Sequence, residues 1–286
     1  MGRSALEVLE KTLARNEDLI GLARHPGYVT LTSGRQIELI NYEDSKKVQS
    51  IQGFIHTAFP TQNLIYELGV NEYENSCKFI TGWLKDFIDS TSPKWSIGIS
   101  SGVLSESTFP NPRSIGDLGL YAKWKQLEES LLTDSGCKNV TIGRLFSASG
   151  RFMTKPKKLA LGDFILRGMN EERIVVKSNI LGVRNYVDAE DFIETLVFTV
   201  QTYPRIILDS NGIEITIPEL AAAVASFFPN SSVICDFSKF SEKDLYLPEK
   251  TLPYQELSTA AGVGVREIKD QISRTILGLR ADINRK

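Results

Sequence analysis

A chain of 286 residues, 42% apolar and 24% charged, holds material for one large or two modest domains whose core needs no disulfide staples. Its net charge of -2 speaks against nucleic acid as a partner, and no apolar run approaches the length of a membrane span. Cys77, Cys137 and Cys235 are widely spaced, and His25 and His56 are the two histidines. A zinc site or a Ser-His-Asp triad therefore has little to build on, no metal is expected, and reduced thiols suit the cytoplasm.

Apolar strands alternate with amphipathic helices through the first half, the pattern of a parallel α/β sheet. A helix is predicted over Ser4 to Ala14, then a strand over Asp18 to Leu22. A hairpin-like region follows, with Tyr28 to Leu31 and Gln36 to Ile40. Next come a helix after Asp44, a strand at Gly53 to His56 and a helix from about Tyr73 to Asp89. The strand Trp95 to Ser100 precedes a helical run from Ala122 to Leu132, and Val140 to Phe146 is another strand. A helix at Leu159 to Gly168, a strand at Ile174 to Val176, a helix from about Glu190 and a strand at Arg205 to Leu208 complete this part. From Ile217 onward the pieces look shorter, as in a smaller lobe.

The stretch from Trp95 to Gly102 ends a buried strand on the hydroxyl pair Ser100 and Ser101. The helix after it opens with Tyr121 and Lys125, which share one face at i and i+4. A cation beside a phenol favours the phenolate, as a general acid/base near neutral pH requires. A serine hydroxyl nearby can hold a substrate oxygen while the proton moves. Tyr42 with Lys46 and Tyr246 with Lys250 have the same spacing, but only Tyr121 follows an apolar strand and opens a helix.

In this order, the pieces resemble the extended short-chain dehydrogenase/reductase family, also called the NAD-dependent epimerase/dehydratase family. Phe54 to Ala58 is similar to the family's fourth-strand motif, Asn75 to its helix asparagine, and Ser100, Ser101, Tyr121 and Lys125 to its catalytic set. Arg144 to Gly150 resembles the strand-six motif that ends beside the substrate, and Val183 to Asp188 the substrate-lobe motif. The resemblance implies a Rossmann-like doubly wound parallel sheet with a smaller C-terminal substrate lobe. Residues 1–150, with 184–209 returning, would form the dinucleotide domain, and 151–183 with 210–286 the lobe. It also implies an NAD(P)-dependent oxidoreductase or epimerase acting on a nucleotide-linked sugar, working as a homodimer through the helix that carries Tyr121.

In that reading Tyr121 gives or takes the hydroxyl proton, Lys125 binds the nicotinamide ribose and Ser101 steadies the sugar oxygen. Gly2, Arg3, Arg24, Asn41, Thr57, Ala58, Phe59 and Ser100 would line the cofactor. Ser147 and Arg184 would face the substrate, Arg184 offering its planar fork to the diphosphate. The other reading of Arg184 is an ion pair. Arg3 and Arg24 suit a 2'-phosphate, which favours NADP over NAD; Arg24 as a solvated strand end is the alternative.

The chain departs from the family in several places. Gly2 resembles the third glycine of the Gly-x-x-Gly-x-x-Gly turn, while the first strand and first two glycines are missing. Either the true protein is longer by roughly 15 to 20 residues, which the intact remaining motifs favour, or this is a truncated chain that binds cofactor poorly or not at all. A cofactor-sensing or binding protein of the same fold without chemistry is the functional alternative. No Asp-Glu pair follows Ser101, so dehydration is disfavoured. Ser105 and Glu106 replace the usual Tyr-Gly, and Asn41 stands where an aspartate commonly contacts the adenine.

Overall fold

The computed structural model describes residues 1–13, 18–105, 117–236, 238, 240, 242–249 and 251–283. Ala14 at the expected end of the first helix, Glu106 and Lys250 lie outside them. The chain forms two compact units, Gly2–Arg144 with Ile193–Leu208, and Met1 with Leu145–Phe192 and Asp209–Lys286.

The first unit runs through α1 (Gly2–Thr12), β1 (Gly21–Leu22), β2 (Gly27–Thr30), β3 (Gln36–Ile40), β4 (Gly53–His56), α2 (Asn63–Leu68), α3 (Val70–Thr91), β5 (Trp95–Ser101), α4 (Asp117–Thr133) and β6 (Asn139–Leu145). The second contributes β7 (Ser147–Ser149), α5 (Ala160–Met169), β8 (Ile174–Val175) and β9 (Ile180–Asp188). From there α6 (Ala189–Thr202) carries the chain back to the first unit and into β10 (Arg205–Asp209). The second unit resumes with β11 (Ile213–Thr216), α7 (Ile217–Ala225), β12 (Val233–Ile234), β13 (Glu242–Tyr246), α8 (Leu252–Ala260) and α9 (Ile268–Ile283).

In the first unit β10, β6, β5 and β4 form, in that order, a parallel sheet with helices on both faces, a Rossmann-like arrangement. Strand β5 is buried over Ser96–Ser101 because it is sandwiched between neighbours and covered above and below. Helix α3 buries Tyr73, Cys77, Ile80, Leu84, Phe87 and Thr91, a three-to-four spacing that turns one stripe inward. Leu84 and Ile88 of α3 and Leu132 of α4 pack with Val140 and Ile142 of β6. Trp95 lies flat against β4 where Gly53 has no side chain; a Cβ there would overlap the indole.

A separate three-stranded sheet has the order β1, β3, β2, with β1 parallel to β3 and β2 antiparallel to it. Between β1 and β4 lies a cavity of about 770 Å³, lined by Leu6 and Leu9 of α1, both strands, and Phe87 and Trp95. Among the described residues neither β1 nor β4 has a second strand neighbour.

In the second unit β9 is central, antiparallel to β11 and parallel to β13 and β7. Its core gathers Leu161, Phe164 and Ile165 of α5, Leu220 and Val224 of α7, and Ile272, Ile276 and Leu279 of α9.

Several expected elements differ. The strand expected over Asp18 to Leu22 is reduced to Gly21–Leu22, since β1 has a ladder partner on one side only. The helix expected after Asp44 is a single 3-10 turn, Asp44–Lys47. Helix α2 was not anticipated; it buries Ile65 beside Tyr73, Cys77 and Trp124, and Gly69 at φ 83 turns the chain into α3. In the final third α9 is a full 16-residue helix rather than a short piece.

Candidate functional site

Helix α4 carries Tyr121 and Lys125 one turn apart. Tyr121 is half-buried and packs, with Phe59, against Ile65, Tyr73, Cys77 and Trp124. It is thus not on the solvent face of α4, which presents Lys123, Gln126, Leu127 and Ser130. Burial pushes the Tyr73 phenol up, and its neighbours Cys77, Tyr121 and Glu128 add to the effect. Burial also pushes the Cys77 thiol up to about 11, which leaves it protonated and inert.

The Lys125 side chain turns inward, and the residue is only 5% exposed. Its Nζ donates to the Ile99 carbonyl at 2.9 Å and to Glu128 Oε2 at 2.6 Å. An ammonium has three N–H donors; the ring of Phe59 lies 4.3 Å from the same nitrogen. The contact with Ile99 anchors the lysine one residue before the serine pair. Ser101 Oγ accepts from the Val103 amide at 3.4 Å and caps the turn Gly102–Leu104. Ser100 Oγ is buried with no hydrogen-bond partner among the described residues.

The sequence pattern did not point to Glu128, and it gave His56 as part of the β4 motif and as one of two histidines, too few for a zinc site or a triad. Glu128 is 1% exposed, and its Oε1 pairs with His56 Nδ1 at 2.6 Å. Burial alone would raise this carboxyl, but the Lys125 ammonium and the His56 ring outweigh it and hold the pKa below its ordinary value. The available signal was the i to i+3 spacing of Lys125 and Glu128 on one helix. The adjacent Glu129 faces a different partner, Arg144, whose guanidinium donates to both its oxygens at 2.9 and 2.8 Å.

Gly2 opens α1 against the end of β4; a Cβ there would touch Thr57 Oγ1 at 3.4 Å. Gly2, Arg3, Thr57 and Ala58 share the wall of the cavity between β1 and β4, which Arg24, Asn41 and Phe59 do not line. Arg3 donates to the Thr30 carbonyl at 2.7 Å and stands 3.6 Å from Glu7. Arg24 is exposed, and its charge reaches the Tyr42 phenol. Asn41 Oδ1 accepts from the Asp44 amide at 2.7 Å, so it caps the turn there. Asn75 is exposed on α3, and the inward residue near it is Tyr73.

In the second unit Ser147 lies on β7 opposite Tyr186 of β9. Arg184, on β9, donates through Nη1 to the carbonyls of Val183 and Asp244, both at 2.9 Å, and through Nη2 to Asp244 Oδ2 at 2.8 Å. The ion-pair reading of Arg184 is the arrangement present.

No family model matches the chain, and no curated protein is similar to it in sequence. Solved structures are similar over nearly its whole length. MoeE5, solved with UDP-glucose and NAD, has 15% identity and a TM-score of 0.70, covering 99% of this chain and 97% of that one. UDP-glucose 4-epimerase from Thermotoga maritima, solved with UDP-glucose, has 14% identity and a TM-score of 0.71, covering 99% and 96%. A mutant UDP-glucuronic acid 4-epimerase from Bacillus cereus, in complex with a fluorinated UDP-sugar and NAD, has 13% identity and a TM-score of 0.73, covering 98% and 95%. The chain has the fold of these UDP-sugar 4-epimerases.

Proposed function

We propose that this chain belongs to the extended short-chain dehydrogenase/reductase family and is an NAD(P)-dependent oxidoreductase or epimerase acting on a nucleotide-linked sugar. One observation supports the reading: in a chain similar in fold over nearly its whole length to UDP-sugar epimerases, Lys125, on the helix that bears Tyr121, donates to the carbonyl of Ile99, the residue before Ser100 and Ser101. The cleft is compatible with a dinucleotide at one point in particular: the N-terminus of α1 meets the end of β4 at a residue without a side chain.

A bound nicotinamide would supply hydride transfer. Tyr121 would exchange a proton with the sugar hydroxyl, and Ser101 would hold that oxygen by a hydrogen bond. Lys125, seated on Ile99 and Glu128, would bind the nicotinamide ribose and keep a positive charge near Tyr121. Gly2, Arg3, Thr57, Ala58, Phe59 and Ser100 would flank the cofactor. Asn41 would present its amide beyond the turn it caps. Ser147 would face the sugar, and Arg184 would bind the diphosphate by exchanging Asp244 for it. Arg3 and Arg24 favour a 2'-phosphate and hence NADP, whereas the similar structures were solved with NAD. Three free thiols are consistent with a cytoplasmic enzyme, and the chain would act as a homodimer.

Tyr121→Phe tests the reading. The variant is expected to fold and to bind dinucleotide, and to lose turnover of UDP-glucose or UDP-glucuronic acid by about a hundredfold or more, the scale of acid-base catalysis. Turnover close to that of the parent would overturn it.

A second reading, a binding protein without chemistry, draws on the ammonium of Lys125. Two of its three donors are spent on protein oxygens and a ring lies against it. Saturable NADPH or NADH binding without turnover of any UDP-sugar would favour this reading.

A further inference from the structure

We propose that Glu128 is a positioning residue of this site, a buried carboxylate that ties Lys125 of α4 to His56 at the end of β4. The inference rests on the functional reading above and deepens it. Each carboxylate oxygen has its own partner, Oε2 with Lys125 Nζ and Oε1 with His56 Nδ1, both at 2.6 Å. All three residues are at least 95% buried. The bridge spans 72 residues of sequence between His56 and Glu128.

A fully buried carboxylate is costly to desolvate, and an apolar side chain would pack α4 against the sheet at less expense. What the carboxylate adds is direction. It fixes where the lysine ammonium stands, with Ile99 as the second anchor. Through His56 it also holds the start of the segment Thr57, Ala58, Phe59 that follows β4, and Phe59 supplies the ring against the same ammonium. One group therefore sets two parts of the proposed cofactor wall together. His56 also lines the cavity beside Gly2, and its Nε2 has no hydrogen-bond partner among the described residues. Glu129 cannot substitute, because both its oxygens are engaged by Arg144.

Glu128→Gln is the test, with a thermal melt to establish that the variant folds. The amide keeps the volume but cannot accept from both partners. Lys125 is expected to react with an amine-selective acylating reagent about tenfold faster than in the parent, as mass spectrometry of its peptide would read, since hydrogen bonds to charged groups carry that weight. The dissociation constant for NAD and NADP is expected to rise about tenfold, with that for UDP-glucose unchanged. In a Lys125→Met background Glu128→Gln should add no further loss of dinucleotide affinity, an outcome that a general packing role would not produce.

Unchanged acylation of Lys125 in Glu128→Gln overturns the proposal whether or not dinucleotide binds. Equal losses with and without Lys125 overturn it as well. If the parent binds neither dinucleotide, the functional reading fails and the acylation result alone decides the role of Glu128. Should the glutamine variant not fold, Glu128→Asp keeps the charge but is too short for both partners, and the same acceleration at Lys125 is expected.

Discussion

Three tyrosines in this chain precede a lysine by four residues, and their surroundings separate them. Tyr42 stacks edge-on against Phe79 and Trp83, and Lys46 is exposed and pairs with Glu43. Tyr246 ends β13, tilted against Phe146. Tyr121 alone sits on an α-helix with its lysine carried into the protein. The helical spacing was readable from sequence, because i and i+4 share a face in any helix. The inward turn of Lys125 was not, because it depends on Ile99, Glu128 and Phe59 arriving from other segments. Gly212 illustrates the same limit. A Cβ there would overlap the backbone carbonyl of Tyr186 on β9, and a carbonyl within a sheet ladder cannot move aside. Gly212→Ala is therefore expected to lower stability by about 2 kcal/mol, the scale of overpacking, as urea denaturation would measure. A value within error of the parent would mean that β9 yields.

Elements with strong periodicity were legible, and those made by their surroundings were not. The stripe of α3 from Tyr73 to Thr91 repeats every three to four residues, so the helix could be placed from sequence. Helix α2 has only six residues and one buried side chain, and it owes its place to the cluster around Tyr73. Strand β4 combines both cases: its apolar run was visible, but its neighbours were not. It pairs with β5 on one side and faces a cavity on the other. Backbone amides in Gly53–His56 are expected to exchange with deuterium ahead of those in Trp95–Ser101, since local opening follows the number of partners lost. Equal protection of the two peptides would show that the edge is covered. At α7, Thr216 and Glu219 form a capping box. Thr216→Ala should cost about 1 kcal/mol in thermal or urea unfolding, and no change would deny the cap its role.

Across the whole molecule, buried charge sets how stability responds to pH. The Glu128 carboxyl is held below its ordinary value of 4.5 in the folded chain. A carboxyl depressed by folding stabilises the fold above its unfolded pKa, and that contribution is lost as pH falls through the folded one. The parent is thus expected to lose stability as the medium is acidified below about 4.5, and Glu128→Gln to lose less over the same range. Parallel losses in the two proteins would show that the carboxylate is not ionised in the fold.

The likeness to UDP-sugar epimerases at 13–14% identity shows how few residues the architecture requires. Alternating apolar runs and helical stripes are local properties, so composition and spacing alone determined an α/β chain with a serine pair at a strand end and a tyrosine and a lysine on one face of the helix after it. Ion-pair partners are not local. Asp244 takes the fork of Arg184 from 60 residues away, and Glu128 reaches back 72 residues to His56. Only the closed fold decides which opposite charge stands within hydrogen-bond reach. It alone turned Arg184 to Asp244, seated Lys125 on Glu128 and left a cavity between β1 and β4.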